Sequence, residues 1–484
     1  MSVVLRDRTK PRFAALGAAY GQSVAPAALP DARMLYVNHA LAGELGLDPA
    51  WCESPAALRI FAGNAAWPGG AAYASAYAGH QFGAWVPHLG DGRVLTLAEL
   101  ETPGGEPREL QLKGAGPTPY ARGADGRAVL RSSIRELLGC EALHALGVPT
   151  TRALALVGSS LPVRREELET AAVLCRSAPG FVRFGHFEYH AHHGPPRQLA
   201  ALADHVIELH FPHLANEPDA HSLWLAEVIA RTAALFAHWQ TLGFCHGVLN
   251  TDNLSVLGLT LDYGPFGFME RFRAHHVCNA SDTEGRYAYA AQPAIGGWNC
   301  ARLVQACLGL LDARPEAARE RGQDLLDAYG PAYDRAVMRR WRAKLGLRGE
   351  QAGDAALLNR WLTLLQRGRA DFTLSFRGLA EMIASDPADA GPELMAWLRD
   401  WRARLAGDCV ESAERAVALR RANPLYVLRN HLAQQAIAEA QAGSATELRR
   451  LLGVLAHPFE KQEGAELYAA PAGAAQEVEV ACSA

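Results

Sequence analysis

The sequence predicts an α+β fold of two lobes, the first rich in strands and the second helical, with an added N-terminal segment and a helical C-terminal extension. Three observations predict it. Strand patterns between glycine-rich turns fill residues 66–130 and return over 151–183. One helical pattern separates them: from Ser133, Ile134, Leu137, Leu138, Ala142, Ala145 and Leu146 keep helical spacing until Gly147 stops it before Pro149. From about residue 200 onward the apolar spacing is mainly helical.

The elements follow in order. Residues 1–65 are mixed and Ala/Pro-rich, with a short helical signal from Leu41 to Leu47, and read as an N-terminal extension. Residues 66–175 form the strand-rich lobe. There Val94 to Glu99 is a strand after the Asp91-Gly92 turn, and Glu109 to Lys113 alternates, with Leu110 and Leu112 on one face and Lys113 on the other. Residues 176–320 form the helical lobe. Its long helix carries Leu225, Val228, Ile229, Thr232, Leu235, Phe236 and Trp239 as one stripe and ends at Gly243. Residues 321–484 continue as helices, for example Leu357 to Leu365, Leu394 to Leu405 and Val427 to Ala438. Trp397 and Trp401, four apart on such a helix, are core.

Composition narrows the class. The 484 residues are 49% hydrophobic and 20% charged, enough to bury a core and too apolar for disorder. A net charge of −4 argues against a nucleic-acid partner. The N-terminus has no signal-peptide h-region, and no apolar run reaches the ~18 residues of a membrane span. The nine cysteines form no CxxC pairs. A cytoplasmic monomer free of membranes is expected. Of 47 basic residues only four are lysine: Lys10, Lys113, Lys344 and Lys461.

Lys113 ends a strand, and Glu136 lies on the helix that follows. Protein kinases place a strand lysine on nucleotide phosphates and hold it with a helix glutamate. Ser133 to Glu136 also has the spacing of a capping box. After the long helix comes His246-Gly247-Val248-Leu249-Asn250-Thr251-Asp252-Asn253, then Asp262-Tyr263-Gly264. Against the kinase motifs HRDLxxxN and DFG, His246 falls on the His, and Asn253 and Asp262 fall on the metal-binding Asn and Asp. Their oxygens are hard ligands suited to Mg²⁺, with Mn²⁺ as a substitute. The apolar run Leu257 to Leu261 reads as a strand leading to Asp262. Lobe order and motif order together are those of a protein-kinase-like fold. One position departs: the kinase base falls on Val248, which cannot accept a proton. Asp252 is the nearest carboxylate, a candidate proton acceptor or a loop-ordering residue. Gly90-Asp91-Gly92-Arg93 is a short glycine loop able to approach phosphate, and Arg176 and Arg183 add cations for a triphosphate.

Several stretches resemble the selenoprotein O family: Tyr77 to Gly83 (YAGHQFG), Gly90 to Arg93, Gln111 to Glu136, HGVLNTDN with LDYGPFGFM, Gly285 to Tyr289 (GRYAY), Gln292 to Asn299 (QPAIGGWN) and Asn423 to Ile437. The resemblance runs from about residue 70 nearly to the C-terminus. It implies a pseudokinase-like protein that binds ATP in a flipped orientation and transfers AMP to Ser, Thr or Tyr hydroxyls of proteins, releasing pyrophosphate. It also implies site roles: Lys113 and Glu136 as the ion pair; Gly90, Gly92, Arg93, Asp125, Gly126, Arg176, Arg183 and Asp262 as nucleotide contacts; Asn253 and Asp262 as metal ligands; Asp252 as proton acceptor. Family members often end in a cysteine or selenocysteine, a place filled by Cys482. Cys278 lies just after the DYG segment, and a redox-sensitive Cys278–Cys482 disulfide is expected. Uridylyl transfer from UTP, conventional phosphoryl transfer and an inert ATP-binding scaffold are the alternatives. The run His186, His190, His192 and His193 fits no zinc spacing and reads as a solvated loop. His205 to His210 lacks HExxH order and reads as helix.

Overall fold

A computed structural model describes residues 11–388, 390–473, 476 and 478–481. Its first half is built on one antiparallel sheet. The strands lie in the order Gly21–Ser23, Tyr73–Ser75, Val94–Glu101, Pro107–Lys113, Leu168–Ala178, Arg152–Arg164 and Arg33–Val37, and Ala128–Val129 pairs with Leu168–Ala178. The expected alternation sets its two faces. Leu95, Leu97, Leu110, Leu112, Val157 and Val173 point into one core, closed by Leu41, Phe61 and Trp67. Gln111 and Lys113 point the other way, where Gln111 lies opposite Arg176 and Lys113 opposite Leu174 on the neighbouring strand. Both outermost strands come from residues before 66. The segment expected as an N-terminal extension is thus integral to the sheet, because an open edge leaves backbone N–H and C=O groups unpaired and these residues pair them.

The helix facing Lys113 spans Leu130–Ala145, with Leu146 as C-cap and Gly147 after it at φ 77°. It starts three residues before Ser133, and its N-cap Val129 makes no side-chain cap. The capping-box spacing at Ser133 to Glu136 is therefore not a cap; it lies inside the helix and leaves Glu136 free to face the sheet. Behind it run the long helix Ala220–Leu242, ended by left-handed Gly243, and the helix Gln292–Leu311. The late helices Asn430–Gln441 and Thr446–Leu455 pack against the Leu130–Ala145 helix and share its core. Farther on, a separate core stacks Trp361 on Trp397 and Trp397 on Trp401, all three buried. Among the described residues, no helix is long and apolar enough to cross a membrane.

Two local expectations change. Leu257 to Leu261 forms no strand; single bridges at Leu254, Ser255 and Thr260 flank a turn in which Gly258 takes φ 70°. His186 to His193 is no loop but part of the helix Phe184–His193, with His186 and His190 buried.

Candidate active site

Lys113, Glu136, Arg176, Arg183 and Asp262 meet at the inner end of a cleft of about 740 Å³. The Lys113 ammonium is 2.5 Å from Glu136 Oε2 and 3.3 Å from Asp262 Oδ1. Arg176 Nη1 donates to Glu136 Oε1 and to Asp262 Oδ1, each at 2.8 Å, while its other guanidinium nitrogens are held by Gln111 Oε1. Arg183 Nη2 is 2.5 Å from Asp262 Oδ2. Burial works against the Asp262 carboxylate, but Arg183, Arg176 and Lys113 override it and hold its pKa well below the usual range. Asp262 itself sits at φ 58°, a left-handed conformation that costs a non-glycine residue about 1–3 kcal/mol. Its three cationic contacts offset that cost.

Arg183 opens the Phe184–His193 helix, and His186 Nδ1 accepts its backbone N–H at 3.0 Å. The chain of bonds continues from His186 Nε2 to Ser75 Oγ, 3.0 Å, and from Ser75 Oγ to Asp91 Oδ2, 2.5 Å. Asp91 is buried beneath the glycine loop, 3.5 Å from Arg183 Nη1. Sequence reading used Asp91 only as a turn residue; its place between two glycines was the available signal.

The outer cleft is lined by Gly90, Gly92, Arg93, Asp125 and Gly126, together with Arg122, Arg127 and Arg165. Gly126 takes φ 65°, and a Cβ there would lie 2.1 Å from Pro117 N, so only glycine fits. The Asp125 carboxylate is held down chiefly by Arg165, 2.7 Å away on the turn after the Arg152–Arg164 strand. Arg165 was missed in the sequence because only strand pairing brings it to the cleft. Arg176, by contrast, is fully buried and reaches the cleft only through Glu136 and Asp262.

Across the cleft lies the loop from His246 to Asn253. His246 is buried; its N–H donates to Gln292 Oε1 and its Nε2 meets Leu261 O at 3.1 Å, tying the loop to the Asp262 segment. Val248, an apolar side chain, lines the cleft. Asn253 Nδ2 donates to Val248 O at 3.1 Å, a bond that does not use its Oδ1, which could hold a cation. Asp252 also lines the cleft; burial pushes its carboxyl up to about 6, against a hydrogen bond from Gln81 Nε2 at 3.0 Å. Gln81 is a contact no local pattern announces, since it spans 171 positions. Among the described residues, no three His, Cys, Asp or Glu side chains form a metal-holding group.

Cys278 is half-buried, with its thiol 3.0 Å from Pro265 O. Cys482 lies outside the described residues. The tail does return to this segment, where Ala280 N–H donates to Val480 O at 2.8 Å.

The family model described as protein adenylyltransferase SelO matches residues 4–456. The chain belongs to the SelO family. It is therefore a member of an enzyme family. The SelO match starts well before residue 70, so the sheet edges from the first 65 residues belong to the family as well. A protein nucleotidyltransferase YdiU of Methylococcus capsulatus is 57% identical over 98% of this chain and 96% of its own. Proteins of the same name from Burkholderia thailandensis and Ralstonia nicotianae are 50% and 49% identical, covering 97% and 99% of this chain and 94% and 96% of theirs.

Proposed function

We propose that this SelO-family chain is a protein adenylyltransferase with a protein-kinase-like arrangement: an ATP-binding lobe over residues 66–175, a catalytic lobe over 176–320 and a helical extension over 321–484. One observation carries the reading. Two arginines and a lysine converge on Asp262 at the inner end of the cleft, while Val248 holds the place of the kinase base and the carboxylate of Asp252 lies elsewhere on the wall.

Arg176 lies on the strand that leads out of the sheet toward Pro179-Gly180, and Arg183 follows it. Phosphates pushed inward would be matched by Lys113 and Arg183, the cations that line this end of the cleft. This supports a nucleotide whose β- and γ-phosphates point inward and whose α-phosphate faces Asp252. Asp252 accepts the proton of the substrate hydroxyl, the oxygen bonds to the α-phosphorus, and the bond to the β-phosphate oxygen breaks. Lys113 and Arg183 stabilise the pyrophosphate as it gains charge, and Arg176 holds Glu136 and Asp262 in position from behind. Glu136 keeps Lys113 in place.

Asn253 and Asp262 fit a divalent ion. Asn253 Oδ1 is left open by the bond from Nδ2 to Val248, both ligands are hard oxygens on the same cleft, and a two-ligand set suits Mg²⁺, which keeps phosphate oxygens and water for the rest. When bound, the ion supplies charge neutralisation on the phosphates.

Incubation with Mg²⁺ and bacterial lysate protein, using ATP labelled at the α- or the γ-phosphate, tests the proposal. Protein-bound α-label, lost in Asp262→Ala, is expected; γ-label alone would establish phosphoryl transfer instead. Labelled UTP in parallel separates adenylyl from uridylyl transfer.

A further inference from the structure

Three of the stretches that carry the family likeness contain residues the nucleotide does not need: Tyr77 to Gly83, Gly285 to Tyr289 and Gln292 to Asn299. The fold brings them together beside Asp252. The Gly79–Gln81 and Ala84–Val86 hairpin lays its turn on the catalytic loop. His80 N–H donates to Thr251 Oγ1 at 2.7 Å, Phe82 N–H to Asn250 Oδ1 at 3.0 Å, and Gln81 to Asp252. Tyr287 OH donates to the same Asn250 Oδ1 at 2.7 Å.

Two features mark this face. Phe82 lies on the cleft wall, 43% exposed, at φ 50°. The two-residue hairpin loop Phe82-Gly83 demands positive φ at both positions, and Phe82 meets that demand while one side of its ring rests on Tyr287, centroids 5.2 Å apart, and the rest faces solvent. Beside it, the Arg286 guanidinium lies 3.2 Å from where a Cβ of Gly83 would sit. Arg286 and Arg302 both stack on the Trp298 indole, at 4.8 and 5.2 Å from its centroid. Neither has a carboxylate within 4.0 Å among the described residues, and each has a buried Nε without a hydrogen-bond partner. His80 packs edge-on against the same indole and holds Glu188 Oε1 at 2.6 Å; Glu188 attracts Arg302 from beyond ion-pair distance. Asp282, four residues before Arg286, spends both oxygens on the backbone N–H groups of Arg286 and Tyr287, and Glu284, two residues before Arg286, lies beyond 4.0 Å.

We infer that this face holds the acceptor polypeptide: Phe82 contacts an apolar side chain next to the accepting hydroxyl, and Arg286 with Arg302 on Trp298 takes an acidic side chain of the same segment. The occupant follows from position and charge. The face is continuous with the wall carrying Asp252, and it offers two cations without a contacting carboxylate among the described residues and one exposed ring, the complement of an acidic and an apolar residue. The inference rests on the proposed transfer to protein hydroxyls.

The test uses α-labelled ATP and bacterial lysate protein as acceptor, with modified sites mapped by mass spectrometry. Wild-type sites are expected to be enriched in acidic and apolar residues around the modified hydroxyl. Arg286→Glu and Arg302→Glu should each lower transfer about tenfold or more, the scale of one charge-assisted contact, and erase the acidic preference. ATP affinity, measured by titration calorimetry, should stay within about twofold, which also reports that the variants fold. Phe82→Ala should erase the apolar preference. Unchanged transfer and unchanged flanking composition in both arginine variants would overturn the inference. So would loss of ATP affinity in both, which would make the pair structural or a nucleotide contact. If the wild-type protein transfers no α-label, the reading of function fails first, before any variant is compared.

Discussion

Replacing Lys113 by arginine keeps the charge and should nonetheless disable the site. The ammonium occupies a buried point between Glu136 Oε2 and Asp262 Oδ1, at 2.5 and 3.3 Å. Arg176 already fills the remaining directions, since its Nη1 bonds Glu136 Oε1 and Asp262 Oδ1 at 2.8 Å. A planar guanidinium needs a fork of acceptors and more width; here both carboxylates are committed and a second guanidinium lies alongside. The introduced guanidinium would be pushed toward the cleft, away from Glu136, and its charge would miss the developing pyrophosphate. Losing one preorganised contact of this kind costs about 3–4 kcal/mol of transition-state stabilisation, a rate loss of about 10²–10³-fold. The assay is transfer of label from α-labelled ATP to protein at saturating ATP, with thermal unfolding as a control for folding. A rate within about threefold of wild type would refute the reasoning.

Other outcomes follow from the same structure. Burial lowers the Lys344 ammonium to about 7, with the Phe376 ring 4.7 Å away and no carboxylate paired to it among the described residues. The unfolded chain therefore binds the extra proton between about pH 7 and 10, stability rises with pH across that window, and the full penalty is present below it. Lys344→Met should stabilise the fold by about 1–3 kcal/mol at pH 7, seen as a raised Tm by calorimetry, with the gain shrinking toward pH 10; a lowered Tm would mean that the ring contacts outweigh desolvation. With the Asp252 carboxyl at about 6, transfer should fall as pH drops through that value because the proton acceptor becomes protonated; a flat rate from pH 7.5 to about 5 would remove it from that role. Asp262→Ala leaves Arg176 and Arg183 buried without their shared anion, so besides abolishing transfer it should destabilise the fold by the ~3–5 kcal/mol typical of a broken buried pair, seen as a lowered Tm. The Cys278–Cys482 disulfide that the family resemblance implies is checked by peptide mapping of oxidised protein without reductant; both thiols free would exclude it.

How much was legible depended on distance along the chain. Lys113 and Glu136, His246 to Asn253 and Asp262 could be read because each is fixed by a short pattern: alternation puts Lys113 opposite Leu110 and Leu112, and the helix start sets Glu136 one element later. Residue type then limits the chemistry, since Val248 can never be a base. Patterns of that length misled where local spacing has two solutions. The apolar run Leu257 to Leu261 turns at Gly258 instead of pairing, and the histidine run buries His186 and His190 because the Phe184–His193 helix turns them toward Phe13, Ser75 and Tyr20.

What the sequence alone determined was the inventory: a chain of mixed strands and helices, a lone lysine ending a strand, a glutamate on the next helix, an Asn and an Asp on successive loops, and Val248 between them and the long helix. Only the tertiary structure decided how those parts are held. Residues 21–23 and 33–37 close the sheet, Arg165 arrives on Asp125, Asp91 anchors Ser75 and Arg183, and Gln81 crosses 171 positions to Asp252. The physical reason is that a periodic pattern records which face of an element avoids water, whereas a hydrogen bond or edge pairing between distant segments leaves no period in either one.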